Sequence, residues 1–320
     1  MKEISILVTH NALIAALGNA RYMFKMVNNF LRELGKEPLF DVSMVGLTKE
    51  VSLDNGLFTV QVDKEINETK STDLIIIPPM SGIMQNNVGQ NRGYIHWIKS
   101  QYAKGAEIAS LCVGAFILAE TGLLDGKDCS THWQTANEFR TLYPNINLVD
   151  EKIITDHNGI YTSGGANSYW NLLVYLVEKY VDRDLAIRTS KYFEIEINRN
   201  NQFPFMIFEG NKHHDDKVVS TSQSFIEQEY REKITLELLA QKSNLSSRTF
   251  QRRFKKATHF NVSEYIQKVK VEAAKKHLET GSLSINEVMY EVGYNDPKAF
   301  RNTFKKVAGV TPIQYRQRYS

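Results

Sequence analysis

Two stretches decide the fold of this chain: Ser246-Ser-Arg-Thr-Phe250-Gln-Arg-Arg-Phe254-Lys-Lys256 and Asp296-Pro-Lys-Ala-Phe300-Arg-Asn-Thr-Phe304-Lys-Lys306. They lie fifty residues apart without a gap, and each places two phenylalanines four positions apart among cations and amides. Residues four apart share one face of a helix. Ser246 and Asp296 are good helix caps, and Pro297 suits the first helical position. The pattern therefore predicts two helices, each with one apolar face and one basic face.

The repeat extends beyond these two helices and indicates a tandem arrangement. At the same offset Glu237 aligns with Glu287, Tyr265 with Tyr315, and Ser243 with Gly293 at the expected turns. Each unit is predicted to be a helix, a turn and a second helix, and the capping-box pattern Ser284-Ile-Asn-Glu287 opens the second unit. One helix over Ser263–Thr280, closed by Gly281 and roughly 27 Å long, is expected to join the units.

Charge separates this region from the rest of the chain. The 320 residues carry a net charge of +3, but residues 221–320 hold 18 Lys and Arg against 10 Asp and Glu, which is +8, and residues 1–220 carry −5. A basic helix alone is more often a solvated surface, but two matching copies favour an all-α tandem helix-turn-helix domain on double-stranded DNA. The predicted DNA contacts are Ser247, Arg248, Gln251, Arg252, Lys255, Lys298, Arg301, Asn302 and Lys305, with Arg253 and Lys256 adding charge at the flanks.

Residues 225–320 resemble the AraC/XylS-type DNA-binding domain. The resemblance rests on Ile285-Asn-Glu-Val-Met-Tyr-Glu-Val-Gly-Tyr-Asn-Asp-Pro-Lys-Ala-Phe-Arg-Asn-Thr-Phe-Lys-Lys306 and on Gly309-Val-Thr-Pro-Ile-Gln-Tyr-Arg316. It implies two helix-turn-helix units joined by a long helix, in a sequence-specific regulator that is often an activator and works with RNA polymerase.

The first 180 residues follow another pattern, in which short β-rich runs alternate with amphipathic stretches. The predicted strands are Ile4–Val8, Asp41–Val45, Leu74–Ile77 and Glu107–Leu111, and the predicted helices include Tyr22–Leu34, Tyr94–Tyr102, Ala115–Thr121 and Asn167–Tyr180. Such alternation favours a doubly wound α/β domain with a parallel sheet. No apolar run is long enough to span a membrane, and two cysteines are too few for a disulfide framework, so we expect a cytoplasmic protein.

The segment Ala109-Ser-Leu-Cys112-Val-Gly-Ala-Phe-Ile-Leu-Ala119 is the part of this domain with chemical interest. A β-run ends at Leu111, and Cys112 lies where the chain must turn sharply into a helix, with Gly114 leaving room. This layout is typical of a nucleophile elbow with Cys in place of Ser. A helix N-terminus would lower the pKa of the thiol. By spacing alone a buried structural cysteine remains the more frequent explanation.

Residues 4–195 resemble the class I glutamine-amidotransferase-like (ThiJ/PfpI-type) domain of GlxA-family regulators. The resemblance rests on the elbow, Glu120-Thr-Gly-Leu-Leu-Asp-Gly126, Ser130-Thr-His-Trp133 and Tyr161-Thr-Ser-Gly-Gly-Ala-Asn-Ser-Tyr169. It implies a flavodoxin-like doubly wound parallel sheet with Cys112 at the carboxyl edge of the strands. The expected domains are 1–208 for sensing, 209–222 as linker and 223–320 for DNA binding.

The elbow supports three hypotheses. Hydrolytic relatives carry His directly after the Cys, and hydrating relatives carry an acid in the first loop, but here Val113 follows Cys112 and the loop Asn11–Gly18 has no carboxylate. His132 is the one candidate partner. We therefore expect a pocket that binds a small effector without turnover, lined by Cys112, His132, Ser81 and Gly82. A Cys112-dependent hydrolase, hydratase or lyase, and a redox sensor without a visible resolving partner, stay as alternatives.

The remaining expectations concern cofactors, metals and assembly. The pair His213-His214 lacks a third ligand at metal spacing, so no metal and no cofactor are predicted. Asn200-Asn201-Gln202 is interpreted as an interdomain or dimer contact, with an ordinary surface loop as the alternative. We expect a homodimer.

Overall fold

The computed structural model describes residues 1–197, 201–212 and 214–320, and the chain divides into two compact units, Met1–Gln202 and Phe203–Ser320. Each unit is described by itself. No helix of the described residues is both long and apolar enough to cross a membrane.

The first unit is the predicted α/β domain. Its strands are β1 (Lys2–Leu7), β2 (Phe40–Gly46), β3 (Glu50–Leu53), β4 (Phe58–Gln61), β5 (Lys64–Glu65), β6 (Leu74–Ile77), β7 (Glu107–Ser110), β8 (Asp128–Cys129), β9 (Asn147–Leu148), β10 (Ile154–His157) and β11 (Ile160–Ser163). Its helices are α1 (Ile14–Glu33), α2 (Met84–Gln90), α3 (Gly93–Ala103), α4 (Ala115–Glu120), α5 (Ala136–Leu142), α6 (Ser168–Tyr180) and α7 (Arg183–Tyr192).

The central sheet runs in the order β10-β11-β7-β6-β1-β2-β5 and is parallel except for the β10–β11 pair. Alternate residues of β6 enter opposite cores: Leu74 and Ile76 pack in one, and Ile75 and Ile77 in the other. A strand buried on both faces in this way needs helices on both sides of the sheet. The predicted doubly wound, flavodoxin-like fold is confirmed.

Helix α1 differs most from its prediction, since it starts at Ile14 instead of Tyr22. No side chain caps its first turn, so the sequence carries no start signal there, and burial of Leu17 and Ala20 extends the helix. The segment Asn11–Gly18, predicted as a loop, is therefore helical from Ile14 onward.

The second unit is entirely helical. Its helices are α8 (Lys217–Gln228), α9 (Leu236–Lys242), α10 (Ser247–Thr258), α11 (Val262–Thr280), α12 (Ile285–Glu291), α13 (Pro297–Ala308) and α14 (Pro312–Tyr319). The predicted caps are confirmed: Ser246 accepts from the N–H of Thr249, Asp296 caps α13, and Ser284 and Glu287 form the capping box. Gly281 ends α11 in the left-handed conformation.

The two units of the repeat differ by one residue at the turn. The left-handed residue between α9 and α10 is Asn244, and between α12 and α13 it is Gly293, an offset of 49 and not 50. The predicted pairing of Ser243 with Gly293 is therefore wrong. The second turn holds one extra residue before its cap, which restores the offset of 50 for α10 and α13.

Each helix-turn-helix unit has its own apolar core around a phenylalanine pair. Phe254 packs edge-on against Tyr265 at 5.3 Å between ring centroids, and Phe304 packs in the same way against Tyr315 at 5.7 Å. All four rings are nearly or completely buried. The offset of 50 thus relates two copies of one packing arrangement.

Residues 209–222, expected to be a linker, lie inside the helical unit, and α8 begins within them at Lys217. Asp216 caps α8, and Phe208 just before the segment packs against Tyr265 at 5.1 Å. Polar side chains of the segment make specific interactions within the unit: the Asn211 amide donates to the Ala257 carbonyl at 3.3 Å, and Asp216 forms an ion pair with Arg253. Polarity without an apolar period therefore did not indicate a loose linker here.

We expect Phe304→Ala to lower the free energy of unfolding of the helical unit by about 3–5 kcal/mol, because it leaves a cavity at a fully buried ring. Urea unfolding of the full chain, followed by circular dichroism, measures the change. Tyr290→Ala is the control, since Tyr290 is 61% exposed in the same unit. Equal losses for the two variants would contradict the assignment of Phe304 to the core.

Candidate functional site

The turn at Cys112 has the geometry of a nucleophile elbow. Cys112 has φ of +55°, a left-handed conformation that a residue with a side chain adopts only under constraint. A Cβ on Gly114 would lie 2.7 Å from the carbonyl oxygen of Ile77 and 2.8 Å from that of Pro78. The predicted strand–turn–helix arrangement is confirmed, and Gly114 is required for it.

The environment of the thiol differs from the expectation. Cys112 is 6% exposed, and burial raises the pKa of its thiol to about 11. Hydrogen bonds from the backbone of Val113 and Ala166 favour the thiolate but offset only part of this rise. The prediction of a lowered pKa is wrong because removal of the sulfur from water outweighs the helix start. The thiol is neutral near pH 7.

The backbone N–H groups at the turn already have acceptors. The Cys112 N–H donates to the Ser163 Oγ at 3.1 Å, and the Gly114 N–H donates to the Leu111 carbonyl at 2.9 Å. The Val113 backbone binds the sulfur itself. An oxyanion hole needs free N–H groups aimed at a reacting carbonyl oxygen, and at this turn those groups are engaged.

His132 lies close to the elbow loops but does not hydrogen-bond to Cys112. Its Nδ1 accepts from the Gln134 N–H at 3.1 Å, and burial lowers the pKa of its ring. The connection between the two segments is through Thr131, whose hydroxyl donates to the Cys112 carbonyl at 3.1 Å. A Cβ on Gly165 would lie 2.4 Å from the His132 ring, so this ring packs directly on the Gly165 backbone. The structure therefore places a neutral imidazole beside the elbow without a thiol–base pair.

The predicted Ser81 and Gly82 lie in the loop after β6, at the same carboxyl edge of the sheet. Ser81 and Gly82 are exposed, and Gly82 has φ of +87°. The loop is held by Asn11 and Asn87: the Ser81 N–H donates to the Asn11 carbonyl at 2.9 Å, and the Asn87 amide donates to the Ser81 carbonyl at 2.8 Å. These bonds connect it to the loop after β1 and not to Cys112 or His132.

Sequence reasoning missed Tyr169, which lies beside the thiol, and Asn19, which is hydrogen-bonded to Tyr169. Tyr169 is 9% exposed, and burial raises the pKa of its hydroxyl, with a further contribution from the Cys112 sulfur. The Asn19 amide of α1 donates to this hydroxyl at 2.8 Å. Tyr169 ends the Tyr161–Tyr169 motif and could have been suspected. Asn19 carries no local signal, because only the fold brings α1 to this edge.

Gln202 is a third residue whose role near the elbow was missed by sequence reasoning. It is 1% exposed inside the first unit, its Oε1 accepts from the Gly165 N–H at 2.9 Å, and its amide donates to the Thr131 carbonyl at 3.0 Å. Gln202 therefore fixes the two loops beside the elbow, and its interpretation as an interdomain, dimer or surface contact is wrong. Asn200 of the same predicted segment lies outside the described residues.

The basic faces of α10 and α13 point to solvent. Phe250, Phe254, Phe300 and Phe304 are buried, and on the opposite side the cations are exposed and form no ion pair with a described residue. Ser247 and Gln251 are half-buried. The exposed members are Arg248, Arg252, Lys255, Lys298, Arg301, Asn302 and Lys305.

Arg253 departs from this pattern. It forms an ion pair with Asp216, the cap of α8, which ties α10 to α8 within the same unit. This pairing lowers the pKa of Asp216 even though partial burial opposes it. One of the basic side chains of α10 therefore stabilises the fold.

Metal ligands do not cluster in the part of the chain that the structure covers: no group of three or more His, Cys, Asp or Glu side chains is arranged to hold an ion. His213 lies outside the described residues, and His214 is hydrogen-bonded to the Gln223 side chain at 3.0 Å. Cys112 and Cys129 are both buried free thiols.

Comparison with known proteins identifies both units. Residues 28–179 match the DJ-1/PfpI family, and residues 239–318 match a helix-turn-helix domain family. The chain is 26% identical to the HTH-type transcriptional regulator GbdR of Pseudomonas aeruginosa, over 99% of this chain and 84% of that protein. It is 24% identical to the HTH-type transcriptional regulator GlxA of Rhizobium meliloti, over 67% of this chain and 66% of that protein.

A solved structure supports the fold of the first unit. A crystal structure of a protein from Vibrio parahaemolyticus superposes with a TM-score of 0.54 at 20% identity, over 60% of this chain and 98% of that one. The chain therefore joins a region that matches the DJ-1/PfpI family to a region that matches a helix-turn-helix domain family, and over nearly its whole length it is similar to an HTH-type transcriptional regulator.

Proposed function

We propose that the protein recognises an operator in double-stranded DNA through α10 and α13, and that its α/β unit senses a small effector without turning it over. The observation that carries the DNA part is the matched set of outward positions on the two helices. At an offset of 50, Arg248, Gln251, Arg252 and Lys255 correspond to Lys298, Arg301, Asn302 and Lys305.

The chemistry of these side chains suits a major groove. Arg pairs with the two acceptors of guanine, Gln and Asn pair with adenine, and lysines neutralise phosphates. We assign Arg252 and Arg301 to base edges, because they lie near the middle of the outward faces. Ser247, at the first position of α10, is assigned to a phosphate.

We expect Arg252→Ala and Arg301→Ala each to weaken binding to the selected operator by about 1–3 kcal/mol, through loss of a base contact. Fluorescence anisotropy with specific and scrambled duplexes at fixed salt measures the effect, after genome-wide mapping of bound DNA has supplied the operator. Arg253→Ala is the matched control, since Arg253 is paired with Asp216 on the same helix. If Arg252→Ala and Arg301→Ala bind the operator like the parent, this assignment is wrong.

The proposal for the α/β unit rests on the state of the elbow. The thiol is neutral, no described base hydrogen-bonds to it, and the N–H groups of the turn are engaged. The Tyr169 hydroxyl interacts with the Cys112 sulfur and accepts a hydrogen bond from the Asn19 amide at 2.8 Å, so polar groups suited to binding a ligand lie next to the elbow. Cys112, His132, Ser81 and Gly82 complete the proposed lining. The effector would act by binding one arrangement of a cytoplasmic homodimer more tightly, which changes its fit to DNA and its access to RNA polymerase.

The raised pKa of the Cys112 thiol predicts its reactivity with pH. Alkylation requires the thiolate, so the rate at Cys112 should keep rising about tenfold per pH unit beyond pH 9, where a model peptide with a pKa of about 8.5 has levelled off. Because the folded-state pKa is the raised one, the neutral thiol stabilises the fold below about pH 8.5, and this contribution is lost as the pH rises towards 11. Mass spectrometry of iodoacetamide-treated protein resolves Cys112 from Cys129. A rate that is constant above pH 7 would show an activated nucleophile instead.

A Cys112-dependent enzyme is the second candidate, favoured by the strained conformation of Cys112 on a fold shared with the DJ-1/PfpI family. The two candidates differ in what removal of the sulfur does. If the unit only binds an effector, Cys112→Ala should keep most of the transcriptional response of a reporter placed behind the mapped operator. Loss of the response in both Cys112→Ala and Cys112→Ser, with thermal stability unchanged, would favour chemistry at the sulfur, either turnover or oxidation.

A further inference from the structure

Helix α11 belongs to both helix-turn-helix cores. Its first half packs against α8 and α10, and its second half packs against α12, α13 and α14. Helix α11 contributes Val262, Tyr265 and Val269 to the first core. It contributes Val271, Ala274 and Leu278 to the second core. Two cores that share helix α11 can still differ in their angle about its axis. Contacts between one core and a turn of the other are needed to fix that angle.

Lys270 lies between these two sets and is buried, with only 8% of its surface exposed. Its Nζ donates to the Gly293 carbonyl at 3.2 Å and lies 5.3 Å from the centroid of the Tyr294 ring. Gly293 and Tyr294 form the turn that carries α13. Lys270, which lies between the two cores, therefore contacts the turn of the second helix-turn-helix unit directly.

The backbone of the first helix-turn-helix unit also packs against this turn. A Cβ on Gly293, whose φ is +71°, would lie 2.1 Å from the carbonyl oxygen of Arg231 and 2.8 Å from the Lys270 Nζ. Arg231 lies in the connection from α8 to α9, and its guanidinium pairs with Glu291 at 3.0 Å. The backbone of the first helix-turn-helix unit thus passes so close to the Gly293 turn of the second helix-turn-helix unit that only glycine fits there.

Burial of an ammonium group at this position costs desolvation free energy. Burial lowers the pKa of Lys270, Glu232 offsets only part of that change, and no described carboxylate forms an ion pair with it. An apolar side chain would fill the space at lower desolvation cost, but packing alone does not specify one angle. A hydrogen bond to one carbonyl and a ring on one side are directional, so they select a single arrangement.

We propose that Lys270 is a positioning residue for DNA recognition, which with Gly293 sets the angle between α10 and α13 and so the spacing of the two half-sites they bind. The inference rests on the proposed function of these helices in DNA recognition. It adds a specificity determinant that is remote from the DNA-facing side chains.

The test is selection from a random-sequence duplex library with the full-length parent and Lys270→Met. We expect the parent to select two half-motifs at one spacing, about one helical turn apart. Lys270→Met should select the same half-motifs with the spacing spread over at least two base pairs. Coupled modules gain about 10²–10⁴-fold from simultaneous binding, and we expect the preference of this variant for paired over single half-sites to fall at least tenfold.

Lys275→Met is the matched control. Lys275 is on the same helix and 3% exposed, but its Nζ donates to the Met206 carbonyl at 2.6 Å, pairs with Glu272 of the same helix and lies 5.8 Å from the centroid of the Tyr315 ring, so it contacts α14 and not the turn before α13. Lys275→Met should keep the parental spacing. Lys270→Arg should also keep it, because it retains a cation at this position. An unchanged single spacing with Lys270→Met, or equal loosening with Lys275→Met, would overturn the proposal.

A second measurement does not depend on DNA. Spin labels on Lys256→Cys and Lys306→Cys, both exposed at the ends of α10 and α13, should give one narrow distance distribution in the parent and a broad one with Lys270→Met. If that variant loses its helical signal, Lys270→Gln replaces it in both measurements. A parent that selects no DNA would refute the proposed function, while the spin-label distances would still decide whether Lys270 sets the angle. Identical narrow distributions would refute the role of Lys270.

Discussion

The burial of one phenylalanine pair under each of α10 and α13 is the constraint on which the helical unit depends. Phe250 and Phe254 lie four residues apart, as do Phe300 and Phe304, and their rings are 5.7 Å and 5.9 Å apart within each pair. With 3.6 residues per turn, burying these positions directs the intervening positions to solvent. The residues available to DNA are therefore determined by packing, before any contact with DNA is made. A shift of either pair by one residue would rotate the whole basic face.

This constraint is local, which explains why the helical unit could be predicted from its sequence. The caps at Ser246 and Asp296 and the phenylalanine pair of each helix depend on residues within a few turns of each other. The failures come from interactions at longer range. Helices α9 and α12 are offset by 49 residues, and the extra residue in the second turn brings α10 and α13 to an offset of 50, so a single gapless shift misaligns the first helices by one residue. Helix α8 begins in a polar segment because its partners are hydrogen-bonding groups elsewhere in the unit.

The candidate ligand site was less predictable for the same reason. The elbow at Cys112 is encoded by a short motif, and the structure has the expected strained turn. The remaining groups come from distant segments: Asn19 lies on α1, and Gln202 reaches the loops from a position 37 residues after Gly165. The protonation state of the thiol depends on a balance between desolvation and two backbone hydrogen bonds. That balance is a property of the assembled site, and no motif reports it.

Net charge indicated the helix-turn-helix unit correctly, but not every cation of that unit is free to bind another molecule. Arg253 is paired with Asp216, and Lys270 and Lys275 are buried against backbone carbonyls. These three cations contribute to the charge of the last hundred residues, yet their geometry assigns them to holding helices together. A long side chain with a terminal cation can bridge two segments and choose one carbonyl among several, which an apolar side chain does not do. The structure therefore separates the exposed cations of α10 and α13 that form no ion pair with a described residue from the cations that are bound to other segments of the helical unit.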